Sequence, residues 1–232
     1  MRSIFARTPG GEWRDYASAH RRKAITLLPT NATTLAAADI TASLGDDLPL
    51  RVERRWLNVG GSPVLRFTLV NTSPTPVEIG VLGMPMVFDN IIDDRTLEQA
   101  HAEASFVDPY IGRDAGYLQV TRLSGKGPAL LVLPEGHSPL EAYVPLPQDR
   151  AAPKGTTFTE KSQRSQTSEG FYDWTIASKG YADKEWSKAG PQWNAPTSIT
   201  LAPGERRDVG VRFVQSPDIR GIETTLAAQH RP

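Results

Sequence analysis

The stretch Leu48–Asn71, LPLRVERRWLNVGGSPVLRFTLVN, holds two runs of alternating side chains on either side of Gly60-Gly61. Alternation with period two is the mark of a half-buried strand, because successive side chains point to opposite faces. In the first run Val52, Arg54 and Trp56 share a face, and in the second Leu65, Phe67 and Leu69 do. A glycine pair between such runs suits a tight reversal, so the segment reads as an antiparallel hairpin with one buried face. Asn71-Thr72-Ser73-Pro74 breaks the pattern, and Val77, Ile79 and Val81 resume it as a third strand.

Further strands are predicted at Gly116–Leu123, Ala129–Pro134, Glu141–Val144, Phe171–Ala177, Ser198–Leu201 and Arg207–Val214. The turn LAPGE at 201–205 joins the last two as a second hairpin, with Pro203 fixing φ and Gly204 free to adopt a positive one. Trp56, Leu65, Phe67, Leu69, Ile79, Val120, Leu131, Val211 and Phe213 are the predicted core. Helical spacing occurs in two places. Thr96-x-x-Gln99 forms a capping box ahead of a face of Leu97, Ala100, His101 and Ala104. Ser216 can cap a last helix with Pro217 at its first helical position and Ile219, Ile222 and Leu226 as its apolar stripe. Gln148–Glu169 is polar and without apolar periodicity, and reads as a mobile loop or a long hairpin tip. The expectation is an all-β, antiparallel sandwich with two or three short helices, forming one domain over residues 1–232.

Composition narrows the chemistry. The chain carries 26 basic and 26 acidic residues, without the cationic excess that nucleic acids or anionic membranes attract. No apolar run approaches the roughly 18–20 residues that cross a bilayer. With no cysteine, thiol nucleophiles, disulfides and cysteine zinc sites are excluded. His20, His101, His137 and His230 are scattered, so no metal site and no cofactor is predicted. The chain has no Gly-x-Ser-x-Gly elbow, and Gly125-Lys126-Gly127 lacks the strand-to-helix setting of a phosphate loop. Asn31 and Asn71 each begin a short glycosylation sequon.

Glycosidic hydrolysis needs two carboxylates flanking the scissile bond. Asp89, Asp93, Asp94, Asp108 and Asp114 cluster between Met86 and Gly116, in a segment read as an irregular loop and the first helix. Asp93 and Asp94 are explained as helix-start residues and Asp108-Pro109 as a turn, which leaves Asp89 and Asp114; neither compels a catalytic role, and no catalytic residue is assigned. Glu135-Gly136-His137 sets an acid and a base two residues apart, as a sugar epimerase could use, although a turn at Gly136 accounts for the same residues more simply. Aromatic rings are the more natural sugar contacts, because a pyranose offers an apolar C–H face that stacks on a flat ring. Tyr172, Trp174, Tyr181, Trp186 and Trp193 are the candidate carbohydrate contacts, each with core packing as its alternative.

RVERRWLN (51–58), PVEIGVLGMPMVFDN (76–90), SFVDPYIGRDAGYLQVTRL (105–123), GPALLVLPEG (127–136), EGFYDWTIASKGYADKEW (169–186) and PTSITLAPGE (196–205) together resemble a family of large bacterial and fungal six-hairpin-glycosidase-like proteins of unknown function. The resemblance runs from about Trp13 to Pro232. It implies an N-terminal β-supersandwich similar to the galactose-mutarotase fold, followed in the parent protein by a helical barrel of glycosidase type, and a secreted or periplasmic setting. The implied role is that of a non-catalytic domain of a glycoside hydrolase or related carbohydrate-active enzyme, whose partners are the following catalytic domain and a polysaccharide or oligosaccharide. A carbohydrate-binding module and a mutarotase-like epimerase are the alternatives. No nucleic acid and no membrane enters this reading, and the resemblance transfers no catalytic residue onto the sequence.

Overall fold

A computed structural model describes residues 3–16, 23–89, 92, 94–113, 116–136, 138–145, 172–192 and 194–231, with the side chains of Pro145 and Tyr172 left aside. Among these residues the strands are β1 (Ile4–Arg7), β2 (Arg14–Asp15), β3 (Thr26–Leu27), β4 (Thr34–Asp39), β5 (Leu50–Val59), β6 (Ser62–Asn71), β7 (Val77–Met86), β8 (Ser105–Tyr110), β9 (Tyr117–Arg122), β10 (Ala129–Glu135), β11 (Ala142–Pro145), β12 (Tyr172–Thr175), β13 (Ile199–Leu201) and β14 (Arg206–Ser216). Three short helices accompany them: α1 (Leu97–Glu103), α2 (Lys179–Asp183) and α3 (Ile222–Ala228). The larger sheet has eight strands in the order β3-β4-β5-β6-β14-β10-β9-β8. The smaller has six, β11-β12-β7-β1-β2, with β13 also paired to β7. Every ladder is antiparallel, and the protein is an all-β sandwich.

The β5–β6 hairpin is the longest ladder and runs from Leu50↔Asn71 to Val59↔Ser62. Gly60 and Gly61 have φ of 59° and 83°, which a two-residue turn of this hand demands and which glycine adopts without steric cost. Val52, Phe67 and Leu69 then face inward with Leu118, Val132, Val209 and Val211. Opposite them lie Ile4, Ile79, Leu82, Met84, Trp174 and Leu201 of the smaller sheet. Trp56, Leu65 and Phe213 lie on the same inward face but are only half-buried, a departure from the predicted core. All three sit toward the Gly60-Gly61 end of the larger sheet, where Leu65 and Phe213 only border the core cluster. There Trp56 and Phe213 cover each other, their rings 5.5 Å apart. Leu131 is buried on the opposite face of its sheet, with Ala129, Leu133 and Val214 beneath Ile222 and Leu226 of α3.

LAPGE is a turn but closes no hairpin. β13 pairs with β7 in the smaller sheet while β14 pairs with β6 and β10 in the larger, so the turn carries the chain from one layer to the other. Asn71, only 1% exposed, holds this crossing. Its amide nitrogen donates to the carbonyls of Thr75 (2.8 Å) and Leu201 (3.0 Å), and its side-chain oxygen accepts from the Ser73 backbone and hydroxyl, both 2.9 Å. Its own backbone N–H donates to the Glu205 carbonyl and its carbonyl accepts from Gly204, each at 3.0 Å.

Asp108-Pro109 forms no turn either. Both residues lie in β8, the terminal strand of the larger sheet, where proline is tolerated because one side of the backbone has no ladder to serve. The capping box of α1 forms as expected, with Thr96 accepting from the Gln99 N–H and the Gln99 side chain accepting from Thr96. Leu97 and His101 are nevertheless exposed, since the buried part of this face narrows to Ala100 and the C-cap residue Ala104. The last helix begins at Ile222 rather than Pro217, because the Ser216 hydroxyl donates to the Asp218 carbonyl and ties residues 216–221 into a turn. Gln148–Glu169 lies outside the described residues.

Denaturant titration should rank three substitutions. Phe67→Ala is expected to cost about 3–5 kcal/mol, as buried aromatic truncations do. Asn71→Ala should cost at least about 2 kcal/mol, because it strips the carbonyl of buried Leu201 of its amide donor and the Ser73 turn of its acceptor. Leu97→Ala, at an exposed position, should stay within about 0.5 kcal/mol of the parent.

Candidate functional site

β7 is the strand on which the candidate site is assembled. It pairs with β13 through Val77–Ile79 and with β12 through Gly83–Met86, while β1 runs along its other edge. The β1 ladder slips by one residue at Gly80, where Phe5 faces Val81 but the next residue, Ala6, faces Ile79. This bulge turns Val81 to the outer face while Ile79 and Leu82 both stay in the core. Gly80 has no side chain, and the Trp13 indole lies where a Cβ would sit. Phe5, Trp13, Val81 and Tyr181 thus form an apolar patch on the outside of the smaller sheet, and α2 packs there through Tyr181.

Polar contacts lock α2 to that patch. Trp13 Nε1 donates to Asp183 at 2.9 Å, and Lys184 Nζ donates to the Trp13 carbonyl at 2.7 Å. Arg7 stacks 3.8 Å above the Trp13 ring and pairs with Glu78 at 2.7 Å, while Ser198 donates to the other Glu78 oxygen at 2.8 Å. Burial opposes ionisation of Glu78, but hydrogen bonds from Arg7 and Ser198 and the Arg7 charge outweigh it and hold the carboxyl below its ordinary range. Burial pushes the Tyr181 hydroxyl up to about 12, so it stays a neutral phenol.

The chain leaving α2 carries Trp186, whose backbone N–H donates to the Tyr181 carbonyl at 2.9 Å and whose ring lies 5.1 Å from that of Tyr181. From there the chain returns toward β11 through residues 187–192 and 194. Glu141, only 3% exposed, ties together residues on either side of this stretch. Its carboxylate accepts from Ser178 Oγ (2.6 Å), Thr197 Oγ1 (2.7 Å) and the Thr197 N–H (3.0 Å), and its carbonyl accepts from Asn194 at 2.9 Å. Between this segment and β11, the terminal strand of the smaller sheet, lies a cleft of about 430 Å³. Tyr143 and Trp186 supply its aromatic walls, and Gln192 and Asn194 supply amide groups. Tyr143 is 40% exposed, with its ring against Trp174 at 5.4 Å.

The five candidate sugar contacts are distributed unevenly around this cleft. Trp186 is half-buried and lines it. Tyr181 is 6% exposed beneath Trp186, and Trp174 is 1% exposed in the core behind Tyr143. Tyr172 contributes its backbone to β12, and Trp193 lies outside the described residues. Tyr143 and Asn194 join the cleft without having been singled out. Glu135 is engaged by Arg66 (3.1 Å) and Arg212 (3.2 Å) on the outer face of the larger sheet, next to a turn at Gly136 with φ 62°. His101 is exposed on α1, and His137 lies outside the described residues. Among the described residues, no three His, Asp or Glu side chains gather as a metal site, and no helix is long and apolar enough to cross a membrane.

The fold and this cleft define an antiparallel sandwich domain with an aromatic groove at the edge of its smaller sheet. The chain belongs to the family of unknown function DUF5695, whose model matches residues 3–232. No curated protein matches it. Among solved structures, a polysaccharide lyase superposes with a TM-score of 0.62 at 12% identity, covering 97% of this chain and 26% of its own. The chain therefore spans about a quarter of that lyase, and the two share the sandwich architecture. An aldose 1-epimerase-like protein of Escherichia coli K12 matches with a TM-score of 0.43 at 10% identity, over 92% of this chain and 84% of its own.

The Glu78 carboxylate yields a pH prediction. Its lowered native pKa adds stability that is complete above the ordinary value of 4.5 and is lost as the pH falls through the native one. Glu78→Gln should therefore flatten the acid limb of a plot of unfolding free energy against pH. An acid limb as steep as the parent's would show that the Arg7–Glu78 pair adds no such stability.

Proposed function

We propose that the chain is a non-catalytic β-sandwich domain of a carbohydrate-active enzyme, of the glycoside hydrolase kind or a relative, and that it holds a glycan segment beside a catalytic domain of the same protein. The observation that carries this reading is the cleft along β11. Tyr143 and Trp186 line it with aromatic surface of the kind that suits the apolar side of a pyranose, and Gln192 and Asn194 add amide groups of the kind that suit its hydroxyls. The shared architecture with part of a polysaccharide lyase supports the same reading by analogy of fold. Glu141 serves as a structural clamp here. Its two oxygens are occupied by Ser178 and Thr197, so its work is to fix the segment that carries the cleft's far wall.

Calorimetric titration with a panel of soluble oligosaccharides tests the proposal. Binding is expected for the parent chain, and Trp186→Ala and Tyr143→Ala should each weaken it about tenfold, equal to about 1.4 kcal/mol. Unfolding midpoints of both variants establish that the fold is retained. The same preparations should hydrolyse no aryl glycoside and epimerise no free sugar. Unchanged affinity in both folded variants, or turnover that survives repurification, would overturn the reading.

A further inference from the structure

The inward face of β5 carries one residue for which the sandwich itself has no use. Arg54 stands directly opposite Phe67 on β6 and Ala38 on β4, both buried in the inter-sheet core, so its side chain rises from that same face. Val52 precedes it there and Trp56 follows it. Taking a charge out of water costs free energy unless it is paired, and the arginines on the other face obey this rule. Arg51 pairs with Asp39 and Glu53, Arg55 with Glu53, and Arg66 with Glu135. Arg54 is half-buried, yet among the described residues no carboxylate and no hydrogen-bond acceptor pairs with it. A charge set on an apolar face without a partner breaks the pattern that builds the fold, and such breaks mark functional positions.

The surroundings of Arg54 leave room for a ligand. On the β4 side Arg54 and Trp56 are faced only by Ala38 and Ala36, and Ala36 is exposed. On the β6 side lie the half-buried Leu65 and, across from Trp56, Phe213, which also lines a cavity of about 520 Å³ with Gly60, Pro63, Leu130 and Gln215. Arg54 and Gly60 are about 20 Å apart along the chain at strand spacing, a length suited to an oligosaccharide rather than a single sugar.

We propose that this rim is a second glycan site and that it takes an acidic polysaccharide, with Arg54 receiving the carboxylate of a uronic acid unit. The proposal rests on the carbohydrate reading above, and adds different residues and the charge of the glycan. A guanidinium matches a carboxylate with two parallel hydrogen bonds, and its single positive charge balances a single negative one. A hexuronate bears that carboxylate at the edge of a ring whose C–H faces are apolar, so one unit can meet both Arg54 and the apolar surface that Trp56 and Leu65 supply. A phosphate dianion would call for further cations. Nucleic acid would call for many, in a chain whose charges balance at 26 and 26.

The test is calorimetric titration of the full chain with polygalacturonate, alginate and hyaluronate, with dextran sulfate as a polyanion that lacks carboxylates. Binding to at least one uronate polymer is expected, and Arg54→Leu should weaken it at least about tenfold. Leucine continues the apolar face of Val52 and Trp56, so this variant should unfold at the parent's midpoint or above it. A midpoint lower by more than about 3 °C would assign Arg54 to the fold instead. Tyr143→Ala should leave uronate binding within about twofold. No binding to any uronate polymer, undiminished binding by Arg54→Leu, or equally tight binding of dextran sulfate would each overturn the proposal. If Tyr143→Ala removes uronate binding and Arg54→Leu does not, the cleft reading stands and the rim site falls. If Arg54→Leu removes it while the neutral oligosaccharides of the earlier titration fail to bind, the rim site stands and the cleft reading falls.

Discussion

The sandwich depends on a single buried amide, that of Asn71. The two sheets are separate hydrogen-bonded layers, and the chain passes between them directly at two places near this residue, from β6 to β7 and from β13 to β14. Asn71 sits at the first crossing and reaches the second through Leu201, Gly204 and Glu205. Asparagine suits the position because it presents two donors and an acceptor at one end of a short, uncharged side chain. Aspartate could accept from Ser73 but would turn an anion toward the carbonyls of Thr75 and Leu201. Hydrophobic pairing of the two inner faces supplies the driving force, and Asn71 sets how the layers are stitched.

The cleft depends on this arrangement at one remove. β13 lies beside β7 because the second crossing holds it there, and Ser198, just before β13, completes the polar set around Glu78. Glu78 orients Arg7, Arg7 covers Trp13, and Trp13 together with Lys184 fixes α2. A helix of five residues has too few internal hydrogen bonds to persist alone, so its position comes from these contacts and from the bulge at Gly80 that makes room for the indole. Tyr143, by contrast, stands on a regular strand, with its ring backed by the buried Trp174. One wall of the cleft is therefore held by a ladder and the other by a network of side chains.

The sandwich is legible in the sequence wherever a strand is long and alternates. Leu48–Asn71 shows its hairpin, its inward face and its turn, and the capping box at Thr96 marks the start of α1 to the residue. What escapes is of three kinds. Two-residue strands such as β2 and β3 are too short for any period, and β4, TLAAAD, is rich in alanine, which has little strand preference. Asp108-Pro109 carries turn chemistry, and only its place at the sheet edge explains why it is strand. The turn at 201–205 has the right residues for a reversal, but nothing local says which sheet each arm will join. The candidate site follows the same division. The aromatic run that includes Tyr181 and Trp186 stands out by composition, whereas Tyr143 and Asn194 reach the cleft through pairings separated by many residues.

The buried amide also bears on how the chain can be made. Asn71-Thr72-Ser73 is one of the two motifs to which a eukaryotic secretory pathway can attach sugar. A glycan on this nitrogen would consume a donor that the Thr75 and Leu201 carbonyls use, and would place a bulky hydrophilic group at a position that is 1% exposed. Asn31, exposed at a loop before β4, can carry such a group without disturbing the core. Modification at Asn71 during synthesis would compete with folding itself, so a host that does not glycosylate is the safer source of native protein.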